Sequence, residues 1–372
     1  MSKKLLWIFS LVVDNFGDIG VAYRLARELS KNQYYEVFLW TDTLSVLAAI
    51  EPGILVQQEK QRIHGVNVVL WRDEFLLQNT IEPAVIVEMF GCFSERPLVL
   101  NVKGRPLHLL IEYLSAEQWT LDHHLKPSIG LQQDRFFYFL GFLPQSGGLL
   151  IEHDYRSKEA IFKAPSPNPV KTNFLNRYGL TVEAERIVIL LFGYATPLWN
   201  RWIEAWEEIG LNYELWIAGE LACGAINEMN WSLPRVKRAP WVSQADFDGL
   251  LWLCGIVIVR GEDSFVRAQL AGIPFFWHIY PQADAIHLKK LQAFLSLLAP
   301  FYPLKVFFHY KRLLLELNGG LSLQREQRQA SWVFLLTHIE VWKEACQAWR
   351  EFLFSQPTAY EKLTQFLENP IK

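Results

Sequence analysis

Residues 256–274 read IVIVRGEDSFVRAQLAGIP, and this stretch predicts the class of fold. A run of β-branched residues forms a short buried strand, Gly261 interrupts it, and a turn with acidic residues and a serine opens a helix. Polar side chains therefore crowd the carboxyl end of a strand and the first turn of the next helix. Ligands of open α/β sheets bind at such strand ends. A helix N-terminus beside Arg260 suits a phosphate, so the segment predicts an anionic ligand.

The rest of the chain repeats this alternation of short apolar runs and helical patterns. In the amino-terminal half, strands are predicted over residues 6–13, 36–40, 66–71, 84–88, 107–111 and 136–140, with a helix over 19–29. In the carboxyl-terminal half, strands are predicted over 186–192, 213–218, 255–259 and 274–279, with helices over 197–209, 247–253, 331–353 and 359–367. Continuous apolar strands that alternate with helices indicate parallel sheets covered on both faces.

Length and proline content predict the domain organisation. A chain of 372 residues is too long for one ordinary core, so we expect two domains. Residues 164–169 contain three prolines and are interpreted as a linker. The prediction is an α/β protein with doubly wound, Rossmann-like domains over residues 1–165 and 170–345 that face a cleft. Helices over residues 346–372 are expected to pack back on the first domain. Several classes of enzyme share this outline.

Composition excludes several other classes. The formal charge of −3 and the lack of a basic run argue against a nucleic-acid partner. The four cysteines form no CxxC pair, which favours reduced, buried thiols over a metal site or disulfides. The apolar segment 5–13 is too short to span a membrane and does not lead into a cleavage site. We therefore expect a cytoplasmic protein with no membrane partner.

Two carboxylates follow the first predicted strand. Asp14 and Asp18 lie with two glycines where the chain turns at the carboxyl edge of the sheet. Carboxylates at that edge would project into the cleft, as a general base must. In the structural alternative, Asp18 is only the N-cap of the helix and the glycines only permit the turn. The spacing is not GxGxxG, so a dinucleotide fingerprint is a poor match.

The stretch around residue 260 has both a functional and a structural interpretation. In the functional one, Ser264 and the amides after it cradle a diphosphate, Arg260 adds positive charge, and Glu262 faces a sugar or an acceptor. In the structural one, Asp263 or Ser264 caps the helix, Glu262 interacts with the helix dipole, and Arg260 forms a salt bridge.

Aromatic and amide side chains extend the predicted pocket. Trp241 offers a face on which a nucleobase could stack, and Gln244 offers a donor and an acceptor for the base edge. Phe192 and Tyr194 lie at another predicted strand end, and Tyr280 closes the pocket. Each of these side chains could instead belong to a hydrophobic core.

Taken together, these residues resemble the EarP family of protein-arginine rhamnosyltransferases, which modify bacterial translation elongation factor P. The matching segments run through most of the chain, and the one around Arg260 is highly specific. They are residues 14–20 with 23–27, 112–117, 147–149, 260–272 and 275–282.

The resemblance implies a GT-B glycosyltransferase fold and an inverting reaction without a metal or other cofactor. L-Rhamnose would move from dTDP-β-L-rhamnose to one arginine on a loop of elongation factor P. By motif match, Asp18 corresponds to the proposed general base, Asp14 to its companion carboxylate and Glu262 to a second essential acid. The positions that match donor-binding residues are Arg260, Asp263, Ser264, Phe192, Tyr194 and Gln244, the last at the thymine edge. Trp241 departs from the family pattern, in which phenylalanine is expected.

Two alternative functions stay open at this point. A nucleotide-sugar epimerase shares the two-sheet architecture and would need no protein acceptor. A non-catalytic protein could bind a nucleotide sugar or a translation factor. The carboxylates argue against the second alternative, because a cleft that only binds an anionic donor gains nothing from three extra negative charges.

Overall fold

The computed structural model describes residues 3–13, 16–77, 82–98, 104–128 and 135–368. The chain divides into two compact units, each built on one sheet. The first, which we call the N-domain, comprises residues 1–153 and 356–372. The second, the C-domain, comprises residues 154–355.

The N-domain contains a seven-stranded sheet. Its strands are β1 Lys4–Ser10, β2 Tyr35–Thr41, β3 Lys60–Ile63, β4 Val66–Leu70, β5 Val85–Met89, β6 Leu107–Ser115 and β7 Arg135–Gly141. Their order is β3-β4-β2-β1-β5-β6-β7, and β3 pairs antiparallel to β4 while the other described pairs are parallel. The central strand β1 has the apolar sequence expected of a strand covered on both faces.

The C-domain contains a five-stranded, fully parallel sheet. Its strands are β8 Ile187–Leu191, β9 Tyr213–Ile217, β10 Val236–Arg238, β11 Ile256–Arg260 and β12 Phe275–His278, in the order β10-β9-β8-β11-β12. All five residues of β11 are buried, as the β-branched run predicts.

Helices follow most of the strands. They are α1 Gly17–Ser30, α2 Leu44–Ile50, α3 Asp73–Leu77, α4 Cys92–Glu95, α5 Gln118–His123, α6 Tyr155–Phe162, α7 Pro169–Tyr178, α8 Leu198–Glu208, α9 Glu220–Cys223, α10 Glu228–Trp231, α11 Phe247–Leu251, α12 Asp263–Leu270, α13 Ile286–Leu298, α14 Leu304–Leu317, α15 Arg325–Thr337, α16 Ile339–Phe354 and α17 Ala359–Glu368. Short 3-10 turns occupy residues 283–285 and 299–301. Within the described ranges, no helix is long and apolar enough to cross a membrane.

In each sheet the order of the strands reverses at the first strand. In the N-domain β1 lies between β2 and β5, and in the C-domain β8 lies between β9 and β11. The connections after β1 and β5, and after β8 and β11, therefore flank the point at which the strand order reverses. Open α/β sheets bind ligands outside the carboxyl ends of strands at this point.

The division into domains differs from the predicted boundaries. The first break falls at residues 153 and 154 rather than in the proline-containing segment 164–169. Helix α6 stays with the C-domain because Tyr155 packs against Trp252 and Phe162 packs against Phe174. The proline segment instead leads into α7, which Asn168 caps.

The predicted carboxyl-terminal helices are shared between the two domains. The predicted helix over 331–353 is interrupted at His338, where α15 ends and α16 begins. Helix α16 belongs to the C-domain, whereas α17 belongs to the N-domain. The Tyr360 hydroxyl of α17 donates to the Arg24 carbonyl, and Phe366 meets Phe136 edge to face.

Candidate active site

Asp18 lies in the first turn of α1, the helix that follows β1. Its side chain is buried and accepts two described hydrogen bonds: Oδ2 from the Val13 backbone N–H at 3.1 Å, and Oδ1 from the Tyr113 hydroxyl at 3.3 Å. Phe16 occupies the N-cap position, so the alternative in which Asp18 is only the N-cap is wrong. The other predicted carboxylate, Asp14, lies outside the described residues.

Arg260 ends strand β11 and is 9% exposed. Its guanidinium carbon lies 4.9 Å from the ring centroid of Phe192 and 4.9 Å from that of Tyr194, both of which follow β8. Within the described part of the chain, its Nη1 atom is buried without a hydrogen-bond partner. The aromatic faces offset part of the cost of burying the charge. An unpaired buried donor is costly, so the site is suited to a bound anion.

His278 and Trp199 hold Tyr194 in this arrangement. The Tyr194 backbone N–H donates to His278 Nδ1 at 3.2 Å, and Trp199 Nε1 donates to the Tyr194 carbonyl at 2.8 Å. Burial, followed by the positive charge of Arg260 and the presence of His287, lowers the pKa of His278 to about 3. His278 is therefore neutral at ordinary pH and can accept the hydrogen bond through Nδ1.

The first turn of α12 carries the remaining acidic residues. Gly261 has a φ of +66°, a backbone conformation that suits glycine and lets the chain turn from β11 into the helix. Glu262 takes the N-cap position, so neither Asp263 nor Ser264 caps the helix as the structural alternative requires. Gln244 Nε2 donates to Asp263 Oδ2 at 3.3 Å, which brings the loop before α11 to this helix.

The predicted donor-site aromatics are not all equally buried. Trp241 is 56% exposed and Tyr280 is 59% exposed, so neither is a core side chain. The Tyr280 ring meets the ring of Tyr194 edge to face at 5.5 Å. The structure thus places Phe192 and Tyr194 against Arg260, with Tyr280 beside Tyr194. The exposed Trp241 ring lies in the loop that carries Gln244.

The cysteine prediction is confirmed, since all four thiols are free and buried. Burial raises the pKa of the Cys346 thiol to about 12, and that of Cys92 rises for the same reason. Thiols of this kind are protonated and inert. In the described ranges, no three His, Cys, Asp or Glu side chains are grouped so that they could hold a metal ion.

The family model described as elongation factor P rhamnosyltransferase EarP matches residues 6–368. The chain belongs to the EarP family. It is 38% identical to the protein-arginine rhamnosyltransferase of Neisseria meningitidis, over 97% of this chain and 96% of that protein. Its identity to the protein of the same name from Pseudomonas aeruginosa is 33%, over 96% and 97%.

Solved structures agree on the fold. One that describes EarP-mediated arginine glycosylation of translation elongation factor EF-P has a TM-score of 0.67 at 24% identity, and covers 99% of this chain and 100% of its own. The spinosyn rhamnosyltransferase SpnG has a TM-score of 0.53 at 12% identity, with coverages of 98% and 100%. The EarP-family chain thus has the predicted GT-B fold of two parallel-sheet domains and a helical carboxyl terminus.

These relationships settle the class of the enzyme. An EarP-family chain is a glycosyltransferase, a protein-arginine rhamnosyltransferase, as the resemblance predicts. Neither the epimerase nor the non-catalytic alternative is supported by them.

Two contributors to the EarP-family site were missed by the sequence reasoning. Tyr113 lies in a segment that carries the resemblance, and His278 lies at the end of a predicted strand, but neither pattern assigned a role. Both act through hydrogen bonds to residues distant in the sequence, Asp18 and Tyr194. The signals in the sequence were their positions at the carboxyl ends of strands and within the matching segments 112–117 and 275–282.

Proposed function

We propose that this enzyme transfers L-rhamnose from dTDP-β-L-rhamnose to an arginine of translation elongation factor P, with inversion and without a metal ion. The observation that carries the donor assignment is the buried Arg260 guanidinium between two aromatic rings, with a donor that has no partner in the described chain. The acceptor assignment is supported by the family, which is described as an elongation factor P rhamnosyltransferase.

The donor diphosphate would bind at the end of β11. Arg260 would pair with its negative charge, in a hydrogen bond of the charge-assisted kind worth about 1.5–3 kcal/mol. Ser264 and the backbone amides of the first turn of α12 would add donors and the favourable end of the helix dipole. The proposed diphosphate site thus combines a fixed cation with a helix N-terminus.

The thymine base would occupy the exposed aromatic end of this site. Trp241 is 56% exposed, and the face of an indole ring suits base stacking. Gln244 is oriented by its hydrogen bond to Asp263 and has amide groups that suit the base edge. Tryptophan in place of the family's phenylalanine would enlarge the stacking surface.

The acceptor arginine needs activation. A guanidinium has a pKa above about 12, carries only N–H donors and is a poor nucleophile. A carboxylate can hold it through two parallel hydrogen bonds and accept a proton as the new bond forms. Asp18 is the proposed base, with Glu262 or Asp14 orienting the guanidinium.

The proposed step is a single displacement. An arginine Nη atom attacks the anomeric carbon on the face opposite the diphosphate, and the C–N bond forms as the C–O bond to the phosphate breaks. The electron pair of the broken bond leaves on dTDP, and the guanidinium proton moves to Asp18. Attack from the opposite face inverts the configuration through an oxocarbenium-like transition state.

Metal independence is part of the proposal. Arg260 and the N-terminus of α12 would stabilise the charge on the departing dTDP, which is the role that a divalent ion has in other transferases. Turnover should therefore be unchanged by EDTA. Loss of activity in EDTA and its recovery with Mg²⁺ or Mn²⁺ would show that the account of the leaving group is wrong.

Because the proposed acceptor is a translation factor, the proposed site of action is the cytoplasm.

Intact-mass measurement tests the proposed function. Elongation factor P incubated with this enzyme and dTDP-β-L-rhamnose should gain the mass of one deoxyhexose residue. Omitting the donor, or replacing the acceptor arginine by lysine, should leave the mass unchanged. An unchanged mass in the complete reaction would contradict the proposed donor and acceptor.

A further inference from the structure

The hydroxyl of Tyr113 donates a hydrogen bond to the proposed base, Asp18. It lies 3.3 Å from Asp18 Oδ1, while the Val13 backbone N–H lies 3.1 Å from Oδ2. The terminal torsion of an aspartate is broad and roughly two-fold, so a lone carboxylate rotates easily. Donors on both oxygens restrict that rotation. Among the described residues, Tyr113 is therefore one of two groups that hold the plane of the carboxylate.

The backbone around Tyr113 is irregular where its side chain turns towards Asp18. Strand β6 pairs with β7 in register up to Glu112, and the register shifts between Glu112 and Ser115. Such bulges re-aim side chains and are common beside active sites. The irregularity therefore coincides with the residue that contacts the base.

Phe90, the residue that follows the neighbouring strand β5, stacks on the Tyr113 ring. The two rings are nearly parallel, with centroids 4.3 Å apart and an interplanar angle of 9°. The Phe90 backbone N–H donates to the Ile111 carbonyl at 2.8 Å, and its φ is +56°. A bulky residue with positive φ is uncommon and is more often found at functional sites.

We propose that Tyr113, backed by Phe90, is a positioning residue that fixes the Asp18 carboxylate in the orientation needed to receive the guanidinium proton. This inference rests on the proposed function, in which Asp18 is the base. A displacement of about 1 Å in a reacting group can cost on the order of 100-fold in rate. The hydroxyl of Tyr113 therefore contributes to turnover rather than to donor affinity.

Tyr113→Phe tests the hydroxyl alone, since the ring and its stacking on Phe90 stay in place. We expect kcat to fall about tenfold or more, as for the loss of a hydrogen bond to a charged group. KM for dTDP-β-L-rhamnose and for elongation factor P should change less than about twofold, and the melting temperature should match that of the parent. Tyr34→Phe, at a 54% exposed tyrosine of the same domain, is the matched control and should keep the parent kcat.

A double variant distinguishes a positioning role of Tyr113 from a structural one. Asp18→Glu moves the carboxylate away from the Tyr113 hydroxyl, so adding Tyr113→Phe to it should change kcat by less than about twofold. An equal, additive loss in both backgrounds would show that Tyr113 does not act through Asp18. So would a rise in acceptor KM at unchanged kcat.

The test also distinguishes this inference from the proposed base. If Tyr113→Phe keeps the parent kcat while Asp18→Asn abolishes transfer, the positioning role is wrong and the base assignment stands. If Asp18→Asn itself transfers rhamnose at the parent rate, the base assignment fails and the positioning role fails with it.

Discussion

At the scale of one residue, the burial of Arg260 between aromatic rings supports its proposed role as the anion-binding cation of the C-domain. Its guanidinium lies 4.9 Å from the ring centroids of both Phe192 and Tyr194, and a planar group can stack on both faces. The described ion pairs of the domain involve other arginines, such as Arg267 with Asp248. The charge of Arg260 is thus offset by aromatic faces, which fits the proposed role in binding the donor diphosphate.

Arg260→Lys should weaken donor binding. Lysine keeps the charge but loses the planar, delocalised group that fits between two rings, so dTDP-β-L-rhamnose should bind about 10- to 100-fold more weakly. Titration calorimetry with the sugar nucleotide measures this directly. Arg238→Lys, at an exposed arginine of the same domain, is the matched control. Equal affinity of Arg260→Lys and the parent enzyme would argue against a diphosphate at this site.

Asp18→Asn should abolish proton acceptance while leaving the fold intact. Asparagine has nearly the same shape but cannot act as a base, so kcat should fall about 10²- to 10⁴-fold. Donor affinity should be unaffected, because the proposed donor site lies in the other domain. Asp122→Asn, at an exposed carboxylate of the N-domain, controls for the loss of charge. The readout is the initial rate of deoxyhexose addition by intact mass.

At the scale of elements, the connection from β8 to α8 determines where Tyr194 lies. A Cβ added at Gly193 would lie 2.4 Å from the Trp199 ring, and within 3.2 Å of His278 Nδ1. These are the two side chains that hold the Tyr194 backbone. The glycine is therefore required by close packing.

Gly193→Ala should displace this connection. We expect a loss of about 1–3 kcal/mol in the free energy of unfolding, as for overpacking, together with weaker donor binding as Tyr194 moves away from Arg260. Ala195→Ser, at an exposed position two residues further on, should change neither quantity. Urea denaturation and calorimetric titration of the same samples would check both. Parent-like values for Gly193→Ala would mean that the connection tolerates a shift.

The elements that could be predicted are those with a strong apolar pattern. The central strands β1, β8 and β11 are continuous apolar runs, and the helices after them have one buried face. The short strands β3 and β10 were missed, because both lie at a sheet edge and their sequences are largely polar. An edge strand forms by hydrogen bonding to the backbone of one neighbouring strand, so its side chains need not show the apolar pattern that predicts a buried strand.

At the scale of the whole molecule, each domain contains a buried histidine through which acid should lower the stability of the fold. Burial, followed by the charge of Lys362, lowers the pKa of His124 in the N-domain to about 4, and burial lowers that of His278 in the C-domain to about 3. The unfolded side chains take up a proton below about pH 6.5, whereas the folded ones do not. Acid therefore favours the unfolded state of both domains.

The stability contributed by these histidines is complete above about pH 6.5 and is lost as the pH falls towards the folded pKa. At pH 5 each should cost about 2 kcal/mol of the free energy of unfolding. Urea denaturation at pH 7.5 and pH 5 measures the loss. His124→Gln should reduce the pH dependence of the N-domain, while His123→Gln, at the exposed neighbouring residue, should not. Identical pH dependence in all three proteins would contradict the assignment to His124.

The sequence by itself determined the local features of this protein. Apolar strand runs and helical periodicity depend on neighbouring residues, so they predicted the parallel sheets. They also placed Asp18 at the turn into the first helix and Arg260 at the end of a strand. The family motifs predicted the enzyme class.

Only the tertiary structure decided which side chains meet. The order of strands in the sheet brings Tyr113 of β6 to Asp18, and it brings the rings after β8 to Arg260 at the end of β11. Packing of α6 and α17, rather than the proline segment, determined where one domain ends and the other begins. These contacts join residues far apart in the chain, and no local pattern specifies such pairings because they depend on how whole elements bury their apolar faces.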